Sequence, residues 1–148
     1  RPPVRALVQR VANASVAVAG ETVGAIDQGL LVFLGVYPAD TETEIEWLTG
    51  KILGLRIFAD QEKPMNRSVV DIHGGILVIS QFTLAADLSR GNRPGFSSAA
   101  PPEVAEPLYD RFLDILRDRH SPVEAGIFGA DMQVALVNDG PVTFLLER

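Results

Sequence analysis

Residues 76–84 read ILVISQFTL, an apolar run that turns polar at its midpoint. The run predicts a β-strand, whose two-residue period would put the even-numbered side chains on one face and the odd-numbered ones on the other. Burying a hydroxyl or amide group is unfavourable unless the group is hydrogen-bonded. The polar end therefore indicates either a pocket that opens there or Ser80 and Thr83 hydroxyls that bond their neighbours.

The segments around this run indicate the fold class. LLVFL at residues 30–34 suits a strand buried on both faces. Other strands are predicted over residues 4–11, 15–18, 23–26, 127–137 and 142–146, and helices from Thr41 to Arg56 and from Pro102 to Arg119. Pro107 predicts a kink or a late start of regular hydrogen bonding in the second helix. The order of elements predicts an α+β fold, with a curved, barrel-like antiparallel or mixed β-sheet and helices packed on one side.

Composition limits the function classes. The chain has 148 residues, 47% of them hydrophobic and 22% charged, which predicts a single domain over residues 1–148. Its net charge of −6 excludes a protein that coats nucleic acid through bulk positive charge, although a local contact with one RNA end stays open. With no cysteine and two histidines, a disulfide framework, a thiolate nucleophile and a multi-histidine metal centre are excluded. The chain shows no membrane span and no signal-peptide pattern, so we expect a soluble, cytoplasmic protein.

A second polar segment, NDGPVT at residues 138–143, lies between two apolar runs. Glycine tolerates backbone angles that other residues resist, and an X–Pro bond adopts the cis form at a cost of only about 0.5–1 kcal/mol. Gly140-Pro141 could therefore aim two carbonyl oxygens in a fixed direction. The alternative is a plain hairpin turn between two strands.

These two segments together resemble the two motifs of the D-aminoacyl-tRNA deacylase family, which includes the D-tyrosyl-tRNA deacylases. Further segments that fit the family pattern are Gln9–Val11, Gly54–Phe58, Arg93-Pro94 and Ala130–Val134. The resemblance implies hydrolysis of the ester that joins a D-amino acid to the 3′-terminal adenosine of tRNA, and removal of glycine from mischarged tRNA. It also implies a homodimer with its active sites at the interface, no tightly bound cofactor, no metal site, and neither a membrane nor DNA as partner.

The resemblance also implies roles for individual residues. Ser80, Gln81, Phe82 and Thr83 would form the catalytic segment. Backbone N–H groups around Gln81, Phe82 and Thr83 could stabilise the oxyanion, and the 2′-hydroxyl of the RNA would position or activate water. Thr83 as a covalent nucleophile is the alternative, although no base is evident beside it.

The remaining implied roles concern substrate binding. The Gly140-Pro141 bond would be cis, and this unit, with Val142 and Thr143 beside it, would enter the partner's pocket and reject L side chains. Arg10 would hold the Gly-Pro unit in position. Phe128 and Met132 would line the adenosine pocket.

Two other functions stay open on the sequence. One is a paralogous deacylase that clears a small L-amino acid such as alanine from mischarged tRNA, and the other is a non-catalytic RNA-binding module. The long loop that follows the first motif contains Arg90 and Arg93 and, nearby, only one acidic residue, Asp87. Its local net charge is therefore +1, and the two arginines could contact the acceptor end of a tRNA.

Overall fold

The structure is a computed structural model that describes residues 4–148. In this range the chain forms six strands and two α-helices, with a short 3₁₀ helix after the fourth strand. The elements are β1 Arg5–Val18, β2 Glu21–Ile26, β3 Gly29–Gly35, α1 Glu42–Gly54, β4 Gly75–Ser80, α2 Pro102–Arg119, β5 Val123–Ala125 and β6 Met132–Glu147. The 3₁₀ helix Phe82–Ala85 is called the 82–85 turn below.

A single mixed sheet carries the fold. Its strand order is β2-β1-β3-β4-β5, and β6 also pairs with β1. β1 is antiparallel to β2, β3 and β6, whereas β3, β4 and β5 run parallel. A Cβ atom built on Gly24 of β2 would lie 3.1 Å from the carbonyl oxygen of Ala125 in β5, so the two ends of the sheet approach each other. The predicted curved, barrel-like sheet is thereby confirmed.

Both helices pack on one face of this sheet, as predicted. Ile45, Leu48 and Ile52 of α1 and Phe112 and Leu116 of α2 are fully buried in the same core cluster. A second cluster on the opposite face is built from strand residues alone, with Val16, Leu31 and Leu77 at its centre. None of the helices in residues 4–148 is both long and apolar enough to cross a membrane.

The helix ends follow local sequence signals. The Thr41 side chain accepts a hydrogen bond from the Thr43 backbone N–H at 3.3 Å, and the Glu44 carboxylate accepts one from the Thr41 N–H at 2.9 Å. This reciprocal capping satisfies amide donors that have no partner inside the helix. In α2, the N–H groups of Val104 and Ala105 already bond to Pro101 at 2.9 Å, so the predicted late start is wrong.

Two predicted strand assignments are wrong. The strand predicted over residues 76–84 ends at Ser80, because the backbone N–H of Gln81 makes the final bond to Leu34 and the chain then turns. The separate strands predicted over residues 127–137 and 142–146 are one strand, Met132–Glu147, paired with β1 on both sides of residues 139–142, so the alternative of a plain hairpin turn is excluded. Residues 127–131 form a turn and not the start of that strand.

Candidate active site

A cleft of about 810 Å³ opens where β4 ends. Ser80, Gln81 and Phe82 line one side of it, and Phe128 and Met132 line another. Its volume lies in the upper part of the range found for small-molecule sites, about 300–1,000 Å³. The cleft therefore brings together two groups of residues that the sequence analysis assigned to one site from separate segments.

The backbone of the 82–85 turn supplies hydrogen-bond donors beside the cleft. The N–H of Gln81 donates to the Leu34 carbonyl at 2.8 Å and is therefore already bonded within the sheet. Phe82 and Thr83 begin the turn, where N–H groups lack intrahelical acceptors, and neither has a backbone or side-chain acceptor among residues 4–148. These two groups are the free donors of the turn.

Two residues that the sequence analysis did not single out fix the position of this turn. A Cβ atom on Gly35 would lie 2.8 Å from Leu84 Cβ and 3.3 Å from the Gln81 carbonyl oxygen, so only glycine allows this approach. Arg5 Nη1 donates to the Leu84 carbonyl at 3.1 Å. The available sequence signal was Gly35, a glycine at the end of a buried strand. Its spatial neighbour Leu84 is 49 residues away in the chain, so the sequence did not reveal the contact.

The side chains near the turn include no evident general base. Gln81 Nε2 donates to Thr83 Oγ1 at 2.5 Å, so the Thr83 hydroxyl bonds a neighbour, as one alternative above expected. Among the residues that line the cleft, Asp131 alone has a titratable side chain. No group of three or more histidine, cysteine, aspartate or glutamate side chains in the described part of the chain could hold a metal ion.

The opposite wall is supported from behind by Tyr109, which the sequence analysis also missed. Its ring lies 5.7 Å from the Phe128 ring, centroid to centroid, at an angle of 52°. Its hydroxyl lies 3.4 Å from the carbonyl oxygens of both Val78 and Gly126. Burial raises the pKa of Tyr109 to about 12, so the phenol stays protonated and able to donate. The sequence signal for Tyr109 was its position three residues before Phe112, which places both side chains on the same face of α2.

The 138–143 segment forms a bulge in β6, with Gly140 and Pro141 exposed. Asn138 lies opposite Val11 and Thr143 opposite Gln9, so the four residues between them face a single residue of β1. Gly140 has a φ of +134°, and the Gly140–Pro141 peptide bond is cis. The bulge therefore needs glycine at this position, because L side chains rarely adopt such a φ.

Side chains hold both flanks of the bulge. Arg10 Nε donates to the Asp139 carbonyl at 3.0 Å, and Arg10 Nη1 donates to the Ile57 carbonyl at 2.7 Å.

Val142 is buried, and its N–H donates to Asn138 Oδ1 at 3.1 Å. Thr143 Oγ1 accepts from Gln9 Nε2 at 3.2 Å and from Asn138 Nδ2 at 3.0 Å. Val142 and Thr143 therefore support the bulge from its base.

The bulge and the cleft lie apart within one chain. Ser80 pairs with Leu34, Leu34 with Ala6, and Ala6 with Leu146. The bulge that contains Gly140 lies opposite Arg10, four residues from Ala6 along β1, which corresponds to roughly 13 Å at about 3.3 Å per residue. One protomer therefore gathers Ser80, Gln81, Phe82, Phe128 and Met132 around its cleft, with Thr83 in the adjoining turn. It places Arg10, Gly140, Pro141, Val142 and Thr143 elsewhere.

The chain is similar to known proteins over nearly its whole length. It is 57% identical over 145 residues to a D-aminoacyl-tRNA deacylase of Chlorobaculum parvum, covering 97% of each chain. A solved structure named c-Myc DNA unwinding element binding protein is 46% identical, with a TM-score of 0.92 and coverage of 97% of this chain and 98% of that one.

A more distant solved structure shares the fold. It is described as a "probable eukaryotic D-amino acid tRNA deacylase" and is 20% identical, with a TM-score of 0.84 and coverage of 98% of this chain and 99% of that one. The family model for D-Tyr-tRNA(Tyr) deacylase matches residues 7–147. The chain therefore belongs to the D-Tyr-tRNA(Tyr) deacylase family.

Proposed function

We propose that this protein hydrolyses the ester bond of D-aminoacyl-tRNA, releasing the D-amino acid and the tRNA, and that mischarged glycyl-tRNA is a further substrate. The family and the names of the relatives support the reaction class. The observation that carries the proposal is the cleft that joins the 80–82 segment to Phe128 and Met132. We further propose that the protein acts in the cytoplasm, where charged tRNA is used.

The proposed chemistry relies on the backbone of the enzyme and on the substrate. An aminoacyl ester is already activated, so the main requirement is stabilisation of the tetrahedral intermediate's oxyanion. The free N–H groups of Phe82 and Thr83 would donate to it, and loss of one such donor typically costs about 2.7–4 kcal/mol of transition-state stabilisation. Ser80 and Gln81 would shape the wall beside the scissile bond. Water would be positioned or activated by the 2′-hydroxyl of the terminal ribose.

The other wall would bind the terminal adenosine. Phe128 offers an aromatic ring, and Met132 offers a flexible thioether that packs against apolar and aromatic groups. Stacking of an unpaired base on an aromatic side chain is a common basis of RNA-end recognition. Tyr109 would keep Phe128 in place by packing against its ring.

The proposed enzyme is a homodimer in which the bulge of one protomer enters the cleft of the other. The separation of bulge and cleft within one chain supports this arrangement. Val137, Phe144 and Leu145 of β6 are 52%, 38% and 49% exposed, an apolar surface on both flanks of the bulge. In the partner's cleft, the Gly140-Pro141 carbonyl oxygens would face the substrate's α-carbon and collide with an L side chain.

Substitution of Arg10 tests the role of the bulge in chiral selection. In Arg10→Lys, one ammonium group cannot hold the carbonyls of both Asp139 and Ile57 as the guanidinium does. We expect the ratio of D- to L-tyrosyl-tRNA hydrolysis rates to fall on the order of tenfold, because a misplaced bulge rejects L side chains less well. Arg111→Lys is the matched control, since Arg111 pairs with Glu42 on the helical face. An unchanged ratio in Arg10→Lys would contradict the assigned role.

The decisive test of function uses two substrates that differ only in chirality. D-tyrosyl-tRNA should be hydrolysed and L-tyrosyl-tRNA left intact. Hydrolysis of L-alanyl-tRNA in place of the D substrate would identify the paralogous activity. Binding of tRNA without hydrolysis of either tyrosyl ester would identify an RNA-binding module.

The salt dependence of tRNA binding tests how much of the tRNA the protein contacts. With a net charge of −6, the protein should bind few phosphates beyond those near Arg90 and Arg93. The affinity should therefore fall only shallowly with salt, with a slope of about −1 to −2 in a plot of log K against log salt. A slope that corresponds to many phosphates would contradict recognition of the tRNA end alone. General binding to DNA has no comparable support, because the same net charge opposes it.

A further inference from the structure

Two aromatic rings form an exposed pair at the rim of the cleft. Phe82 and Phe96 have ring centroids 5.1 Å apart at an angle of 59°. Both residues line the cleft, yet 56% of Phe82 and 43% of Phe96 is exposed. Leaving so much aromatic surface in water is unfavourable, and aromatic faces of this kind bind planar rings well.

The loop that carries Phe96 is anchored at several points. Asp87 and Gly95 exchange two backbone hydrogen bonds of 2.7 and 2.9 Å. Ser98 Oγ donates to the Ala85 carbonyl at 2.6 Å, and the Ala100 N–H donates to the Val36 carbonyl at 3.0 Å. The backbone that carries Phe96 is therefore held in place before any ligand arrives, which lowers the entropy cost of binding.

The loop that carries Phe96 also carries charges that favour an anion. Arg90 and Arg93 are exposed, and neither makes a hydrogen bond or ion pair within residues 4–148. Asp87 lies nearby, but its carboxylate accepts hydrogen bonds from both the N–H and the hydroxyl of Ser89. An aromatic surface on a loop that also carries two unpaired guanidinium groups suits a nucleobase joined to a phosphate.

From this arrangement we infer that the Phe82–Phe96 pair is a stacking site for the base of the nucleotide that precedes the terminal adenosine. The inference rests on the proposed function, because the terminal nucleoside must occupy the Phe128 side of the cleft. The phosphate between the two nucleotides would lie towards Arg90 and Arg93. Stacking uses the flat face of a base and does not depend on its hydrogen-bonding groups, so the site accepts any of the four bases.

Equilibrium binding of uncharged nucleotides, measured by calorimetry, tests the site without hydrolysis. The dinucleotide CpA should bind about 5- to 100-fold more tightly than adenosine 5′-monophosphate, which is the contribution of one stacked base. ApA should show a gain of similar size. Phe96→Leu should remove most of that gain and leave monophosphate binding within about twofold, whereas Phe96→Tyr should keep it.

Controls separate this site from the proposed activity. Leu88 is 71% exposed on the same loop and does not line the cleft, so Leu88→Ala should bind both nucleotides as the wild type does. Equal affinity of the wild type for CpA and the monophosphate, or a full gain retained in Phe96→Leu, overturns the stacking site. A gain that depends on Phe96, in a protein that fails to hydrolyse D-tyrosyl-tRNA, supports the stacking site and overturns the proposed function instead.

Discussion

A D-aminoacyl-tRNA that ends in 2′-deoxyadenosine is expected to be hydrolysed on the order of 100-fold or more slowly than the natural substrate, because a positioned proton-transfer group typically contributes 10²–10⁴-fold. The lining of the cleft offers Asp131 as its one titratable side chain, and the Thr83 hydroxyl is bonded to the amide of Gln81. In the proposed mechanism, the 2′-hydroxyl of the substrate handles the attacking water instead. Single-turnover rates with the two substrates measure the effect.

Thr83→Ala is the companion experiment, and it should keep substantial activity. The substitution removes the hydroxyl but keeps the backbone N–H that we assign to the oxyanion. If Thr83 were instead the nucleophile, the variant would lose activity as fully as an enzyme without its nucleophile, and the wild type would accumulate an acyl-Thr83 ester. Mass spectrometry of the quenched enzyme distinguishes the two mechanisms.

Gly35→Ala should lower kcat on the order of 100-fold while the protein still folds. The new Cβ atom would lie 2.8 Å from Leu84 Cβ and 3.3 Å from the Gln81 carbonyl, so the 82–85 turn must move away from β3. Such overpacking typically costs about 1–3 kcal/mol of folding free energy. Displacing an oxyanion donor typically costs 10²–10³ in kcat. The catalytic loss should therefore exceed what partial unfolding explains.

Gly50→Ala is the matched control for this prediction. Gly50 lies inside α1, and a Cβ atom there would have no neighbour within 4 Å. Replacing glycine by alanine in a helix interior should stabilise the protein by about 0.5–1 kcal/mol and leave kcat unchanged. Thermal unfolding and kcat should be measured on both variants. Full activity in folded Gly35→Ala would show that the close approach to Gly35 does not position the catalytic turn.

Sequence reasoning succeeded where local signals decide the structure. The helices predicted from Thr41 to Arg56 and from Pro102 to Arg119 depend on residues close in the chain, and both match the structure to within two residues at each end. The residue at which β4 ends could not be predicted from neighbouring residues in the sequence. Residues 81–84 turn where Gln81 and Leu84 approach Gly35 closely, and Gly35 meets them only in the folded sheet.

The bulge shows the same limit in the candidate site. Asn-Asp-Gly-Pro suits a hairpin as well as a bulge, and the choice depends on which strand the flanking residues pair with. Both flanks pair with β1, a contact across more than 120 residues that no local pattern reveals. The motif residues were identified through a family resemblance. Tyr109 and Gly35 act through packing and Arg5 through a hydrogen bond to the Leu84 carbonyl, and all three were missed.

The bulge in β6 also has a consequence for how this chain could be cut or rearranged. Exposed hairpin tips usually tolerate proteolytic nicks and new chain ends, because the two strands beside them stay paired with each other. Here both flanks of Gly140 belong to one strand that pairs with β1, and within residues 4–148 only the Asn138 side chain joins one flank to the other, through the Val142 N–H and the Thr143 hydroxyl. A chain break at residues 139–141 would divide β6 into two separate strands, so we expect new termini at this exposed point to be tolerated less well than at a hairpin tip.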